Sequence, residues 1–228
     1  MEYSNHSSVN KLFWINKRIF DIFVSLLLLP LLIIIGIILF ILNRFFNSGE
    51  LFFVQERMGK NCKVFSAIKF RTMTYTKEIT RKYNDPIEIN RITPLGRILR
   101  KMRIDELPQV LNVLNGEMSL IGPRPDYYIH ALEYLKNIEG YRERHAIRPG
   151  ITGPAAIKYR HEEALLADKL NPNKYNREVI WPDKIAVNLE YIHNWSLLLD
   201  IKYIFATLKS FDILTNETVI AVIEILFS

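Results

Sequence analysis

The sequence predicts an α+β protein that is predominantly helical and enters a membrane through one helix near its N-terminus. Three observations support this prediction: an uncharged apolar segment at residues 22–42, two strand-like runs that flank a turn, and helical periodicity along the rest of the chain. Because 49% of the 228 residues are hydrophobic and 24% are charged, the chain has the apolar content for a packed core, which excludes a disordered protein.

We interpret the apolar segment as a membrane helix because of its length and its lack of charge. A helix over residues 22–42 extends about 30 Å, roughly the thickness of the hydrocarbon core. A signal peptide has a shorter apolar region and a small-residue cleavage site, and a buried core helix is less uniformly apolar. Pro30, near the middle of the segment, removes a backbone hydrogen bond and favours a kink.

The kink and the flanking charges together predict a monotopic arrangement. Lys17 and Arg18 precede the segment and Arg44 follows it, so the positive-inside tendency favours no orientation for a crossing helix. We therefore predict a kinked, re-entrant helix that enters one leaflet and returns to the same side. The chain then divides into an N-terminal tail (1–16), the re-entrant membrane helix (17–46) and a cytoplasmic domain (47–228).

The charge and the cysteine content narrow the classes of function. The formal net charge of +6 favours an anionic partner, such as lipid headgroups, a phosphorylated substrate or nucleic acid. Cys62 is the one cysteine of the sequence, which excludes an internal disulfide and a thiolate metal site and fits a reducing cytosol.

The first element after the membrane segment is a predicted β-hairpin. In ELFFVQERMGKNCKVFSAIKFRTM, residues 50–73, two aromatic and β-branched runs flank the turn-like MGKN. The polar residues 75–91 are expected to form a loop with a short helix. The apolar end of the chain, residues 218–228, suits contact with a membrane or a partner chain. The rest is predicted to be mainly helical, with a break at 171–176 and helical segments at 94–103, 106–115, 126–145, 161–170 and 182–211.

The segment RILRKMR, residues 97–103, interleaves basic and apolar residues directly before two carboxylates. On an amphipathic interfacial helix, the apolar side chains would lie in the lipid interface and the cations would lie against phosphate headgroups. A solvated basic face is the alternative interpretation of the same pattern.

Asp105 and Glu106 follow at the expected start of the next helix. Asp105 suits an N-cap and Glu106 suits the positive end of the helix dipole, so capping alone accounts for both carboxylates. The same geometry also predicts a phosphate site, because free backbone N–H groups and nearby arginines bind phosphate oxygens. Positive surroundings would keep Asp105 ionised, as a carboxylate nucleophile requires. Two carboxylates beside a diphosphate would also suit Mg²⁺.

Two further arginines lie on constrained loops. GPRP holds Arg124 between two prolines, which preorganises its guanidinium group, and RPGITG places Arg148 on a second turn-rich loop. Together with the carboxylates, these arginines predict phosphoryl chemistry on an anionic substrate at a membrane surface.

The order of these motifs resembles that of the bacterial sugar transferases, the monotopic polyprenyl-phosphate phosphoglycosyltransferases that initiate glycan assembly. The motifs that carry the resemblance are KRIFDI, QERMG, KFRTM, DELPQVLNVLNGEMSLIGPRP, RPGITG and LLDIKYIF. The resemblance covers roughly residues 16 to 210. It implies an enzyme of the bacterial inner membrane whose catalytic domain, residues 47–228, faces the cytoplasm. The implied reaction moves a phosphosugar from a UDP-sugar to undecaprenyl phosphate and releases UMP.

The resemblance also implies roles for individual residues. Asp105 would attack the phosphosugar phosphorus and form a covalent intermediate, and Asp105 and Glu106 would hold Mg²⁺. The implied substrate-binding residues are basic: Lys69 and Arg71 in the cleft, Arg100 at the lipid phosphate, and Arg124, Arg148 and Arg160 at phosphate or nucleotide.

Three positions depart from the family's pattern. Leu29-Pro30 stands where a Ser-Pro is frequent, Tyr159-Arg160 where a Gly-Arg is usual, and Asn188 where an acidic residue is common. The last two departures put the sugar or nucleotide contacts in question, but not the reaction.

The implied partners are a UDP-sugar, polyprenyl phosphate and membrane phospholipid, and no nucleic acid is expected. The identity of the sugar, the glycan pathway and the formation of a homo-oligomer stay open. Two rival interpretations also stay open. A non-enzymatic membrane-tethered basic module would give the two carboxylates no role, and a lipid phosphatase or pyrophosphatase would release inorganic phosphate instead of UMP.

Overall fold

The computed structural model describes residues 7–46, 49–74 and 89–209, and these residues form nine α-helices and two small sheets. The prediction of a predominantly helical α+β protein is therefore confirmed. The predicted loop at 75–91 lies mostly outside the described residues, except for a 3₁₀ turn at Ile89–Arg91. The apolar end at 218–228 also lies outside them.

Helix α1 (Ser7–Phe46) runs continuously through Pro30 and includes residues that the sequence placed in the N-terminal tail. By length and composition alone, the portion Trp14–Phe46 is long and apolar enough to cross a membrane. The buried side chains of this portion recur at intervals of four or seven residues, which places them on one helix face. They are Lys17, Asp21, Ser25, Leu32 and Leu39. The re-entrant topology stays a prediction.

Strands β1 (Phe52–Met58) and β2 (Val64–Phe70) form the predicted hairpin. Their antiparallel register runs from Phe52 opposite Phe70 to Met58 opposite Val64. The turn between the strands contains Asn61 in the left-handed conformation, with a φ of 56°, which asparagine tolerates better than most residues. The hairpin prediction is confirmed.

Helix α2 (Pro94–Lys101) begins at residue 94, as predicted. Thr93 caps this helix, because its Oγ1 accepts a hydrogen bond from Gly96 N at 3.0 Å. A side chain at position 96 has no room, since a Cβ there would lie 2.1 Å from the Thr72 carbonyl oxygen. Helix α2 therefore packs directly on the KFRTM segment at the end of the hairpin.

Strands β3 (Ser119–Ile121) and β4 (Gly150–Thr152) pair in parallel and were not predicted. Each strand has three residues, too few to show an alternating pattern. The pairing brings GPRP against RPGITG, because Gly122 N donates to Thr152 O and Gly150 N donates to Pro123 O, both at 3.0 Å. A Cβ at Gly150 would lie 2.1 Å from Gly122 N, so glycine permits this close approach.

The remaining helices follow along the chain, and two predictions for them need correction. The predicted break at 171–176 is wrong, because Asn171 Oδ1 accepts a hydrogen bond from Lys174 N at 3.0 Å and starts a helix. The predicted helix at 126–145 is instead a shorter helix followed by a 3₁₀ turn, Glu143–Ala146. A π-helical segment, Asn176–Ile180, joins α7 to α8. The helices are α3 (Gln109–Leu114), α4 (Tyr128–Asn137), α5 (Pro154–Lys158), α6 (Glu162–Ala167), α7 (Pro172–Tyr175), α8 (Trp181–His193) and α9 (Leu197–Lys209).

A buried polar network attaches α1 to helices α8 and α9. Lys17 Nζ forms an ion pair with Asp200 Oδ2 at 2.6 Å, with side-chain exposures of 5% and 0%. The same carboxylate accepts hydrogen bonds from the Tyr191 hydroxyl at 2.6 Å and from Trp195 Nε1 at 3.0 Å. We call these four residues the anchor network.

Helix α1 also holds strand β3. Asp21 Oδ1 accepts a hydrogen bond from Leu120 N at 3.1 Å, and both residues are buried. Around this bond lies an apolar core that includes Val113, Met118 and Ile121. The strand that leads into GPRP is therefore fixed against α1.

Candidate active site

Glu106 lies at the centre of an ionic cluster formed by three separate segments. Lys69 Nζ, from β2, donates to Glu106 Oε1 at 2.7 Å. Arg124, from GPRP, binds the same carboxylate with both terminal nitrogens: Nη1 donates to Oε2 at 2.9 Å and Nη2 donates to Oε1. Arg103 Nη1 lies 3.9 Å from Oε1. We call Lys69, Arg103, Glu106 and Arg124 the Glu106 cluster.

The two parallel strands position Arg124. Its Nη1 also donates to the carbonyl oxygen of Ile151, in the middle of β4, at 3.2 Å. The carbonyl oxygen of Arg124 accepts a hydrogen bond from Arg144 Nη2, and Arg144 is itself paired with Asp126 at 2.9 Å. The guanidinium group is thus held by backbone and side-chain contacts on both sides, as the prolines of GPRP suggested.

Asp105 lies beside this cluster in a 3₁₀ turn, Ile104–Glu106, and not at a helix N-cap. The predicted N-cap is wrong, because α3 begins only at Gln109, with Pro108 in the cap position. Asp105 is buried, and its Oδ1 has no hydrogen-bond partner. An unpartnered buried carboxylate oxygen is costly, so it marks a position where a ligand or a reacting atom is expected.

The two neighbouring carboxylates differ in their electrostatics. Burial, and then the charge of Glu106, raise the pKa of Asp105 to about 6. Burial also opposes ionisation of Glu106, but Arg124 and Lys69 outweigh it and hold the pKa of Glu106 well below its usual range. The nearby cations lower the pKa of Asp105 less than burial and Glu106 raise it, because Lys69 and Arg124 bind Glu106 directly. Near neutral pH, Asp105 is a carboxylate with a raised basicity.

Two arginines, Arg103 in the cluster and Arg57 beside it, were not predicted as site residues. Arg57, in the QERMG motif, donates to the Pro125 carbonyl oxygen at 3.1 Å. Burial, and then the charge of Arg124, lower the pKa of Arg57 to about 10. Arg103 has a left-handed backbone, with a φ of 55°, directly before the 3₁₀ turn. Arg57 lies in the QERMG motif and Arg103 lies close to DELPQ, and these positions are the signals that could have indicated the two arginines.

The other predicted basic residues contact different parts of the chain. Arg71 pairs with Glu50 at 3.2 Å, and Arg100 Nε donates to Thr72 Oγ1 at 2.9 Å. Arg148 Nε donates to the carbonyl oxygen of Gly116 at 2.6 Å, and Arg160 follows α5 in a turn. Of the predicted site residues, the structure therefore joins Lys69, Asp105, Glu106 and Arg124 into one site.

Two of the three departures from the family's pattern, Tyr159 and Asn188, have distinct surroundings. The Tyr159 hydroxyl donates to Asp183 Oδ2 at 2.6 Å, which ties the end of α5 to α8. Asn188 is buried on α8, and its Oδ1 has no hydrogen-bond partner.

The carboxylate pair fits a hard cation only in part. Within the described part of the chain, no three His, Cys, Asp or Glu side chains are grouped to hold a metal ion. Asp105 Oδ1 is unpartnered, and Glu106 Oε2 accepts one hydrogen bond and so keeps a lone pair. Two such oxygens would leave most coordination positions to phosphate oxygens and water, as Mg²⁺ usually has in proteins.

Comparison with known proteins identifies the family to which the chain belongs. Residues 12–212 match the family model described as "Bacterial sugar transferase". An exopolysaccharide production protein, PSS, of Rhizobium leguminosarum bv. phaseoli is 38% identical over 85% of this chain and 94% of its own length.

Two longer relatives carry names that specify a reaction. A UDP-glucose:undecaprenyl-phosphate glucose-1-phosphate transferase of Klebsiella pneumoniae is 35% identical over 88% of this chain. A UDP-N-acetylgalactosamine-undecaprenyl-phosphate N-acetylgalactosaminephosphotransferase of Aeromonas hydrophila is 35% identical over 85% of it. This chain spans 41% and 43% of their respective lengths.

Proposed function

Because this chain belongs to the bacterial sugar transferase family, we propose that it transfers a sugar-1-phosphate from a UDP-sugar to undecaprenyl phosphate. UMP is the second product, and the reaction is a first membrane step in the synthesis of a glycan such as an exopolysaccharide. The names of relatives from three organisms support the substrate classes, and they differ in the sugar, so the sugar stays unassigned.

The observation that carries the proposal is the unpartnered oxygen of buried Asp105 beside the Glu106 cluster. A nucleophilic carboxylate needs a free lone pair and enough basicity to attack phosphorus, and the raised pKa of about 6 supplies the basicity. The adjacent cations supply the charge that a diphosphate requires.

The proposed reaction has two balanced displacements. First, an Asp105 carboxylate oxygen attacks the sugar-bearing phosphorus, and the bond from that phosphorus to the oxygen of the UMP phosphate breaks. UMP leaves with the bonding electron pair. Then a phosphate oxygen of undecaprenyl phosphate attacks the same phosphorus, and the bond to Asp105 breaks. The carboxylate is regenerated, and the product is undecaprenyl-diphosphate sugar.

The basic residues would bind phosphate oxygens during both displacements. Arg103 lies 3.9 Å from Glu106 and its side chain is 48% exposed, so it has donors free for a substrate. Lys69 and Arg124 keep the donors that their bonds to Glu106 do not use. Glu106 itself acts through these two residues, because its carboxylate fixes their positions. Asp105 and Glu106 would hold Mg²⁺, which would supply positive charge to neutralise phosphate oxygens.

The proposal includes a re-entrant membrane arrangement. Helix α1 exposes many apolar side chains, and the face that it buries is polar in its first half, at Lys17, Asp21 and Ser25. Pro30 interrupts its hydrogen bonding near the middle. Both ends of α1 would then lie on the cytoplasmic side of the inner membrane, with α2 at headgroup height and Arg100 near the lipid phosphate.

Cysteine labelling in intact cells tests this topology. In a Cys62→Ser background, cysteines at Ser4 and Ser228 should both resist a membrane-impermeant thiol reagent and react after permeabilisation. Labelling of the Ser4 position alone in intact cells would show that α1 crosses the membrane.

The covalent step is tested by intact mass spectrometry. The wild-type protein incubated with a UDP-sugar alone should gain one phosphosugar and release UMP, and Asp105→Asn should do neither while it stays folded. Release of inorganic phosphate would favour a phosphatase, and full activity of Asp105→Asn would refute the assignment. Adduct formation that ignores EDTA would remove Mg²⁺ from the proposal.

A further inference from the structure

A second group of cations lies apart from the Glu106 cluster, where the N-terminal part of α1 meets the RPGITG loop. Arg18 and Arg148 line a cavity of about 330 Å³ together with Trp14, Ile15 and Ile19. The cavity therefore has two guanidinium groups and an apolar wall, and no carboxylate lines it.

Both arginines are fixed by backbone carbonyl groups at the end of helix α3. Arg18 donates to the carbonyl oxygens of Val113 and Leu114, the second at 2.9 Å, and Arg148 Nε donates to that of Gly116 at 2.6 Å. These bonds satisfy part of each guanidinium group. In the regions that the structure describes, the terminal nitrogens of Arg148 have no hydrogen-bond acceptor, so these donors are held ready for a ligand.

The electrostatic balance around the cavity is positive. Lys60, in the hairpin turn, is the third cation, and burial and then the charge of Arg148 lower its pKa. Neither Lys60 nor Arg148 forms an ion pair with a described carboxylate. The charge of Asp21 acts on Arg18, but an oxygen of Asp21 already accepts the Leu120 N–H. Cations held together with only this one, already hydrogen-bonded carboxylate acting on Arg18 favour a bound anion.

The position of the cavity on α1 indicates what kind of molecule would carry the bound anionic group. The cavity lies where the apolar portion Trp14–Phe46 begins, and Ile15 and Ile19 are 48% and 61% exposed. Tryptophan and basic residues at such an edge are typical of the headgroup level of a membrane. A ligand there would place an anionic group against the arginines and acyl chains along α1.

We propose that Arg18 and Arg148 bind the phosphate of an anionic membrane phospholipid in this cavity, and that Lys60 adds positive charge nearby without lining it. This role for Arg148 replaces the nucleotide contact that the resemblance implies. The bound lipid would fix α1 against the hairpin turn and the RPGITG loop. The site is independent of the transfer reaction, because its ligand is neither substrate nor product.

Native mass spectrometry of the purified full-length chain in a non-ionic detergent tests the site. Titration with phosphatidylglycerol should give a bound complex, and phosphatidylcholine, whose choline group opposes the cations, should bind more weakly. Arg148→Gln should weaken binding of phosphatidylglycerol by about tenfold or more, since it removes charged hydrogen bonds. Lys60→Gln, at an exposed turn position, should weaken it less.

The matched control is Arg177→Gln, because Arg177 is 74% exposed in the π-helical segment and its removal takes away the same charge. It should bind phosphatidylglycerol as the wild type does. Unchanged binding by both Arg148→Gln and Lys60→Gln would overturn the proposal, as would equal losses in Arg177→Gln. Displacement of phosphatidylglycerol by equal concentrations of inorganic phosphate would show a free-phosphate site. Displacement by lower concentrations of undecaprenyl phosphate would show an acceptor site.

Discussion

The anchor network and the Glu106 cluster are both ionic groups with a buried carboxylate at the centre, but they differ in how completely their polar atoms are satisfied. Asp200 accepts hydrogen bonds from Lys17, Tyr191 and Trp195, and none of its oxygens is buried without a partner. Around Glu106, by contrast, the neighbouring Asp105 has a buried oxygen with no partner. The first group resembles a structural joint, and the second resembles a site prepared for a ligand.

The difference also distinguishes the residues that stabilise the fold from the residues of the candidate active site. In the anchor network one cation and two neutral donors bind one carboxylate. In the Glu106 cluster several cations bind one carboxylate, while burial and then the charge of that carboxylate raise the pKa of the second, Asp105. Removing the negative charge of Asp200 should therefore lower the stability of the fold, and removing that of Asp105 should raise it.

The largest expected effect on stability is that of Asp200→Asn. The substitution breaks the buried ion pair of Lys17 by removing one partner, which typically costs about 3–5 kcal/mol. For a chain of this size we expect the Tm in detergent to fall by roughly 6–20 °C. The folded fraction at low temperature should still form the phosphosugar adduct, because Asp200 contacts no residue of the Glu106 cluster. A Tm equal to that of the wild type would show that the joint is not structural.

Arg124→Lys should have the next largest effect, this time on the reaction. Lysine keeps the charge but loses the planar fork that binds Glu106 with two nitrogens. We expect kcat/KM for UMP release to fall by a factor of about 10²–10³, as for the loss of one donor to a developing charge. Arg177→Lys is the control for a surface arginine. Near-normal kinetics of Arg124→Lys would make Arg124 a structural cation between two prolines.

The extent to which the sequence predicts these two groups depends on how far apart along the chain the contacting residues lie. The hairpin, α1, α2 and the pairing of DELPQ with GPRP in one site were predictable, because local patterns and quoted motifs identify them. The anchor network was not, since Lys17 and Asp200 lie in two separate motifs, KRIFDI and LLDIKYIF, and meet only in the folded chain. The short strands β3 and β4 carry no alternation, although they bring GPRP against RPGITG.

The raised pKa of Asp105 and the 3₁₀ turn that replaces its N-cap were not predictable, for a related reason. The sequence shows the cations near Asp105 but not how they divide between two adjacent carboxylates. In the structure Lys69 and Arg124 bind Glu106, and a 3₁₀ turn lies where a helix N-cap was expected. That choice depends on distances between segments far apart in the chain, which no local pattern specifies.

The smallest expected effect, and the sharpest test of the comparison, is the change in stability caused by Asp105→Asn. The folded-state pKa of about 6 exceeds the ordinary value of 3.8, so the folded protein binds more protons between those pH values than the unfolded chain. Stability therefore falls as the pH rises through this window, and ionised Asp105 destabilises the fold at pH 7. Asparagine carries no charge there, so we expect Asp105→Asn to be more stable than the wild type by about 3 kcal/mol, roughly 6–12 °C in Tm.

The same argument predicts how that difference changes with pH. At about pH 4 the wild-type Asp105 is protonated when folded, and the gap in Tm between wild type and Asp105→Asn should close. UMP release by the wild type should fall in parallel, by about tenfold for each pH unit below 6, because the attacking carboxylate is lost. Thermal scans and UMP assays across this range measure both, with Asp200→Asn as the control, whose loss of stability has the opposite sign. A variant that is less stable than the wild type at pH 7 would show that the Asp105 carboxylate has partners and that the two ionic groups are built alike.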